Sequence, residues 1–435
     1  MTVVTLPPGP TVPPLVQTAY ALTVNRRGMD RMRDRYGDTF TVNLPPYGRA
    51  LVISGPDEIK QLFMAGFEAA DNPVRNLGKV LGPGSLFALG GEEHHRRRKL
   101  LVPPFHGRRL SAYEKIVEDE AVREMASWPE GRAFPTLGSM TRITLNIILR
   151  AVFGAEGAEF AALRELLPRM MKIGSWLAVL PEPKVDLGRW GPWGRFAAVR
   201  REYDDIVARL ISKAERDPAL EEHDDILALM LLSRYDDGTR MSHSDIADQL
   251  LTLLAAGHET TATTLAWAVE RLRRHPAILG ALVDEADAGG SALREATILE
   301  VERSRPVIDF VGRQVKSESL RLGPWVVPKG YTILVSIALL HEDGSVFPNP
   351  LAFDPSRFQG TRPDLYRWIP FGGGSRRCIG AAFANMEIDV VLRTMLRDVV
   401  LLPTDEPDER WHSRGIANAP ARGGRAIIRR RGARV

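Results

Sequence analysis

The segment ADQLLTLLAAGHETTATTLAWAVERLRRH, which ends at His275, constrains the fold more than any other part of this chain. At 3.6 residues per turn it would run about eight turns of helix. Ser242 with Asp245 three residues on gives a capping-box start, and Pro276 gives a stop. Ile246, Leu250, Leu253 and Gly257 share one stripe, which continues through Thr260 and Thr264 to Ala268. A helix this poor in charge over its first five turns is predicted to run through the centre of the molecule and to carry Glu259 and Thr260 inside. Burying a carboxylate is costly unless it is paired or hydrated, and Gly257 gives up about 1 kcal/mol of helix propensity relative to Ala. Either these residues serve a site, or Glu259 faces solvent and Thr260 bonds back to its own helix.

The remainder fits around such a helix. Most of it reads as helical, with β-rich stretches at 38–54, where β-branched and aromatic runs flank a Pro/Gly turn, and near 311–336. No repeat or low-complexity linker divides the 435 residues, so one domain over 1–435 is expected, mainly α with a smaller β-rich region. The 58 basic and 54 acidic residues balance too evenly to predict nucleic-acid binding. Near the start, Pro13, Pro14, Gln17 and Thr18 break the longest apolar stretch well short of the ~20 residues of a membrane span, and no secretory signal is visible. A cytoplasmic protein without an integral span is expected, in a compartment that suits a free thiol.

That thiol is Cys378, the single cysteine, which excludes an intrachain disulfide, an iron–sulfur cluster or a cysteine-rich zinc site. An isolated cysteine usually behaves as a small buried hydrophobe. Its surroundings here are unusual: in FGGGSRRCIGAAFANMEIDVVLR three glycines precede it, Gly380 follows, and Ile379, Phe383, Met386 and Val390 then recur at helical spacing. A thiol in a Gly-rich turn at a helix amino terminus meets free N–H groups and the positive helix end, so its pKa is expected to fall from about 8.5 toward neutrality. The glycines permit positive φ and close approach to a flat partner. Metal ligation, nucleophilic catalysis and redox sensing all stay open at this point.

Phe371, Gly374, Arg376, Cys378 and Gly380 fill every fixed position of F-x-x-G-x-R-x-C-x-G. The chain thus resembles the cytochrome P450 superfamily, in particular its bacterial, soluble, actinobacterial-like members, over nearly its whole length. Other family motifs occur in the expected order: His94 and Arg98 in GEEHHRRRKLL, AGHETT at 256–261, Glu300 and Arg303 in LEVERSRPV, and Arg357 in FDPSRF. EVERSRPVIDF departs from family habit, where a second proline and a more apolar helix are common. The resemblance implies a cytochrome P450 fold, with the long helix over a noncovalent b-type haem and Cys378 as proximal iron ligand. Thiolate donation favours O–O cleavage, which explains a Cys in that place. It further implies that His94, Arg98, Arg376 and Arg313 bind the haem propionates, and that Glu300, Arg303 and Arg357 form a structural charge network.

On the distal side the resemblance implies that Gly257 leaves room for dioxygen, that Thr260 bonds to it and holds a water, and that Glu259 relays protons. The implied activity is an O2-dependent haem-thiolate monooxygenase, with a peroxide-using or isomerising relative and a non-catalytic haem sensor or carrier as alternatives. Electrons are expected from a separate ferredoxin and ferredoxin reductase or an equivalent donor, steered by a basic surface of Arg96, Arg97, Lys99 and Arg377. Pocket segments correspond to 72–88, 168–195 and Val307, Ile308, Asp309 and Phe310. Met170, Met171, Trp176 and Leu177 favour a lipophilic small molecule or serve ordinary helix packing, and the tryptophans through Trp193 line an entrance or touch a membrane surface. Asp309 is the polar exception.

Overall fold

Local signals set where the elements begin and end, in a computed structural model that describes residues 4–44, 48–73, 75–107, 109–154, 157–179 and 188–432. The helices are α1 (Pro14–Tyr36), α2 (Pro56–Met64), α3 (Arg75–Leu81), α4 (Gly91–Leu101), α5 (Arg109–Met125), α6 (Leu137–Phe153), α7 (Ala158–Val179), α8 (Pro192–Glu215), α9 (Ile226–Leu232), α10 (His243–Arg274), α11 (Pro276–Asp287), α12 (Ala292–Ser304), α13 (Ile337–His341) and α14 (Ala381–Asp398). Proline opens α1, α2, α8 and α11, where its missing N–H costs nothing.

The strands gather mainly where the sequence is richest in β-branched residues. β1 (Thr39–Leu44) and β2 (Gly48–Ile53) pair antiparallel from Thr39↔Ile53 to Leu44↔Gly48, the expected hairpin, whose turn at 45–47 lies outside the described residues. With β3 (Ala70–Asp71), β4 (Phe134–Pro135), β5 (Phe310–Val315), β6 (Ser319–Leu322), β7 (Trp325–Pro328) and β8 (Thr332–Ser336) the main sheet can be written β1-β2-β8-β5-β3. Only the β2–β8 pairing in it is parallel. Later strands include β10 (Trp411–Ser413) and β11 (Asn418–Pro420), a short antiparallel pair that follows β9 (Val399–Leu401).

α10 is 32 residues long, about 48 Å at 1.5 Å per residue. The Ser242 hydroxyl caps it by accepting the Asp245 N–H at 3.1 Å, and Pro276 starts the next helix. It runs through the principal apolar core, where Leu250, Leu254, Leu265 and Trp267 are fully buried beside Ile143 and Ile147 of α6 and Val391 and Met395 of α14. Burial of each such side chain stabilises the fold by about 1.5–3 kcal/mol. A second core, with Leu51, Ile53, Ile59 and Val335, joins α2 to the main sheet.

Candidate functional site

The cysteine loop is held by packing from both neighbouring sides. Gly372 and Gly374 have φ of +65° and +64°, values that a side chain would strain. A Cβ on Gly373 would lie 2.1 Å from the Phe63 ring of α2, and one on Gly374 would lie 2.5 Å from the Phe63 carbonyl oxygen. The close approach allowed by these two glycines is therefore to α2, whereas a Cβ at Gly380 would meet nothing within 4 Å. Cys378 N–H donates to Phe371 O at 3.0 Å and closes the loop. The Phe371 ring lies 6.0 Å from that of Trp368, whose indole N–H donates to Leu299 O on α12 at 3.1 Å.

α14 begins only at Ala381, so the thiol sits ahead of the helix instead of within its first turn. Its surface is accessible even though protein is dense around it. Burial pushes the Cys378 thiol up from its ordinary value, against the lowering pull of the Gly380 N–H, Arg377 and Arg98, and Glu302 adds to the rise. Desolvation thus works against the lowering expected from the dipoles and cations of the loop. Glu302 on α12 is itself buried and pushed well up by desolvation, with Arg377 opposing.

The four cationic candidates divide into two kinds. His94 and Arg98 lie one turn apart on α4, and Arg313 lies on β5. His94 is 5% exposed and pushed down to about 3, by burial first and then by Arg376 and Arg98. Arg313 is lowered to about 10, by burial and then by Arg376, and donates to Gly312 O at 2.7 Å and Gly373 O at 3.0 Å. Burial also lowers Arg98, while the neighbouring Cys378 opposes the change. Among the described residues no carboxylate forms an ion pair with His94, Arg98 or Arg313. Arg376 differs: Nε and Nη2 donate to Asp71 Oδ1 at 2.9 and 2.5 Å, Nη1 to Leu86 O at 3.0 Å and Nη2 to Leu89 O at 2.8 Å. Four of its five N–H donors are engaged within the protein.

Glu300 and Arg303 of α12 form a bidentate pair through two 2.7 Å hydrogen bonds. Arg303 also donates to His341 O at 2.8 Å and Ala352 O at 3.2 Å, and Glu300 accepts the Asp354 N–H at 2.9 Å. Arg357 completes the group with its Nε 3.8 Å from Glu300 Oε1 and donates to Asn349 O at 2.8 Å. His341 Nε2 accepts the Ile369 N–H at 3.0 Å, which leaves Nδ1 as the donor to Arg303 O at 3.1 Å. This fully buried imidazole connects the ion pair to the chain that enters the cysteine loop.

α10 is buried on both sides of one open turn, in which Ala256 is exposed and Ala255, Gly257, Glu259 and Thr260 are half-buried. Gly257 turns toward α6, where an added Cβ would lie 3.4 Å from Ile148 Cδ1. The most exposed small residue of the turn is Ala256, and Gly257 beside it is half-buried. Thr260 Oγ1 donates to Ala256 O at 2.7 Å, and Glu259 Oε1 lies 3.2 Å from Arg414 Nε, beyond β10. Both outcomes foreseen for this pair are thus partly realised: the hydroxyl bonds back to its helix, and the carboxylate is paired. Sequence reasoning missed Arg414 and also Glu387 of α14, a buried carboxyl pushed well up by desolvation and opposed by a hydrogen bond with Thr261. The acid spacing of α14 carries no local sign of either partner.

The expected pocket segments are tied to this helix. Gln249 Nε2 donates to Gly84 O at 2.5 Å and the Thr252 and Ser85 hydroxyls lie 2.7 Å apart. Met170, Met171 and Leu177 belong to the principal core, whereas Trp176 and Trp190 are exposed, and 180–187 lie outside the described residues. Val307, Ile308, Asp309 and Phe310 are half-buried, and Asp309 Oδ2 accepts Asn418 Nδ2 at 2.7 Å. The basic face of α4 is largely neutralised: Arg96 pairs with Asp237 at 2.6 Å, Lys99 with Asp236 at 2.9 Å, and buried Arg97 with Asp245 at 3.2 Å. The expected steering surface is corrected accordingly, since Asp236 and Asp237 of the loop before α10 and Asp245 in its first turn supply the counter-charge; Arg377 alone of the four has no ion pair among the described residues. No helix among the described residues is long and apolar enough to cross a membrane.

The cytochrome P450 family model matches residues 7–423. The chain is 53% identical over 429 residues to the protein called cytochrome P450 138 of Mycobacterium tuberculosis, across 99% of this chain and 97% of that one. It is 36% identical over 435 residues to cytochrome P450 135B1 of the same species, across 98% and 91%. Among solved structures, the retinoic acid-bound cyanobacterial CYP120A1 superposes with a TM-score of 0.87 at 22% identity, over 98% of this chain and all of that one. The cytochrome P450DA heme domain gives 0.85 at 22% identity, over 99% of both chains. Matched in sequence over almost its entire length and in fold by these structures, the chain belongs to the cytochrome P450 family and is a P450 monooxygenase.

Proposed function

We propose that this chain holds a b-type haem with Cys378 as its proximal ligand and inserts one atom of O2 into a lipophilic small molecule, using electrons from a separate ferredoxin-type donor. The residues fit the group. An accessible thiol beside Arg98, with Arg313 bonded to the same loop at Gly373 O and the neutral His94 next to Arg98, and with no carboxylate among the described residues paired to any of the three, offers a soft ligand for iron and two cations with an imidazole for two propionates. That combination carries the reading. When bound, the haem supplies dioxygen activation, with thiolate donation favouring O–O cleavage.

The protein's own part is to hold, orient and protonate. The Glu300–Arg303–His341 group fixes the approach to the loop, and the Phe371 O bond fixes the Cys378 backbone. On the open turn of α10, Thr260 commits its hydroxyl proton to Ala256 O, so its lone pairs are free to accept from a water in that turn. Glu259, half-buried and paired with the partly exposed Arg414, is placed to pass protons from solvent to that water. A lone cysteine leaves this sequence no ligands for a cluster of its own, which supports an outside electron donor. Lipophilic substrate preference rests on the apolar character of Val307, Ile308 and Phe310. A cytoplasmic setting suits the free thiol.

The test is the ferrous–carbon monoxide difference spectrum of the wild type and of C378S, followed by product and O2 uptake with a ferredoxin and its reductase. A strongly red-shifted thiolate band lost in C378S, with turnover dependent on the reductase, is expected. Product formed only with added peroxide, or no thiolate band in the wild type, overturns the proposal.

A further inference from the structure

Asp71 meets the cysteine loop and the start of α4 with a single carboxylate. It is 5% exposed at the edge strand β3, opposite Gln314 of β5. Oδ1 accepts Arg376 Nε at 2.9 Å, Arg376 Nη2 at 2.5 Å and the Asn72 N–H at 2.8 Å. Oδ2 accepts the Gly91 N–H at 2.8 Å. The N-cap residue of α4, Gly90, has no side chain to satisfy the first amides of that helix, and Asp71 takes over the task from another element. Its negative charge also lies at the positive end of the helix that carries His94 and Arg98. A Cβ on Gly90 would come within 3.1 Å of Oδ2, so glycine is what admits the carboxylate there.

We propose that Asp71 is a positioning residue for the haem edge, which pins Arg376 as a brace of the cysteine loop and seats α4 so that His94, Arg98 and Arg313 take the haem carboxylates. This inference rests on the haem reading above. Arg376 lies two residues before Cys378 and reaches Leu86 O and Leu89 O as well as Asp71, so it fastens the loop to 86–91 and has no nitrogen left unengaged. Arg98 and Arg313, which have no carboxylate partner among the described residues, fall on the two elements that flank this clasp, α4 and β5.

The experiment uses the full-length, haem-loaded protein. Haem transfer to excess apomyoglobin, the reduction potential, and the ferrous–carbon monoxide band are compared for wild type, D71N, D71A, R376A and D71A/R376A. D71N keeps an acceptor for Gly91 and removes the charge. We expect it to shift the potential upward, since a fixed negative charge beside the haem edge is lost. D71A should release haem about tenfold faster or more, the range in which outer-shell partners of a metal site act. Because the Asp71–Arg376 contact is lost in either single variant, the double variant should lose haem by less than the two single effects combined, the excess over R376A being the Gly91 contact that Asp71 makes on its own. If D71A does not fold, the D71N potential and transfer rate decide. Unchanged potential and transfer in D71N, or additive losses in the double variant, overturn the assignment of Asp71 while the wild-type spectrum leaves the haem reading standing. A wild type that takes up no haem overturns that reading, and this inference with it.

Discussion

Arg303 grips Glu300 through two 2.7 Å hydrogen bonds, with both side chains wholly removed from solvent. The geometry satisfies the carboxylate and most of the guanidinium, and Phe347 stacks 5.3 Å from the Arg303 guanidinium. Breaking one side strands the other charge, at about 3–5 kcal/mol. E300A and R303A should therefore lower the denaturant midpoint severely and yield protein poor in haem. R303K keeps the charge without the fork and should fall between wild type and R303A. Urea unfolding with haem absorbance checks all three.

Glu259 and Arg414 make a second, weaker pair, 3.2 Å apart and open to solvent at Arg414. If Glu259 carries protons, E259Q should reduce product formation by about 10²-fold or more, the usual scale for loss of a proton-transfer group. Its solvent deuterium isotope effect should rise as well. R414L removes the partner but leaves the carboxylate, so its loss should be smaller. Product formation in H2O and D2O measures both. Equal rates in wild type and E259Q would remove Glu259 from the proton path.

How far these sites could be read in advance depended on how local their signals were. Ser242 and Pro276 delimit α10 because capping and proline act on neighbouring residues, and the structure places the helix between them. The cysteine loop stood out for the same reason. Helix phase was not local: how far Gly257 is covered depends on where Ile148 of α6 packs. Nor was the neutralising of Arg96 and Lys99, whose partners lie some 140 residues away in sequence. Burial, which raises the Cys378 thiol, is likewise a property of the assembled fold.

His94 gives a pH dependence with a definite sign. Its folded value, about 3, lies below the ordinary 6.5, so between those two values the unfolded chain binds more protons than the folded apoprotein. The stability contributed by the neutral imidazole is in place above about pH 6.5 and is lost as pH falls toward about 3, at no more than about 1.4 kcal/mol per pH unit. H94Q has nothing to titrate there, so its apoprotein should lose less stability between pH 7 and pH 5 than wild type. Denaturant midpoints at the two pH values test this. Haem carboxylates beside His94 would favour its charged form, and the difference should narrow in the loaded protein.

The surface pairs of α4 predict the outcome of charge reversal. Arg96–Asp237 and Lys99–Asp236 are exposed, and such pairs contribute about 0.2–1 kcal/mol at most. Their charges also cancel at distances beyond the Debye length. R96E and K99E each leave two uncompensated carboxylates at the site and should slow reduction by an acidic ferredoxin, whereas D236N/D237N, which exposes both cations, should raise it and steepen its salt dependence. Stopped-flow reduction at several ionic strengths distinguishes the two.

Gly373 and Phe63 supply the last prediction, because they separate two explanations for a glycine in the cysteine loop. If Gly373 were needed for approach to a ligand, nothing done to α2 would restore a substituted loop. The Cβ of G373A, however, would stand 2.1 Å from the Phe63 ring, and Phe63 is 6% exposed with little room to retreat. Gly373 O also accepts from Arg313, so displacement of the loop would carry that cation with it. G373A should lose haem and much of the thiolate band. F63A alone should cost about 3–5 kcal/mol as a large-to-small change in a packed site. Combined with G373A, it removes the clash, so the double variant should bind haem better than G373A. Haem content and the carbon monoxide band of the three proteins decide it. Failure of F63A to rescue any binding would return Gly373 to the ligand-approach explanation.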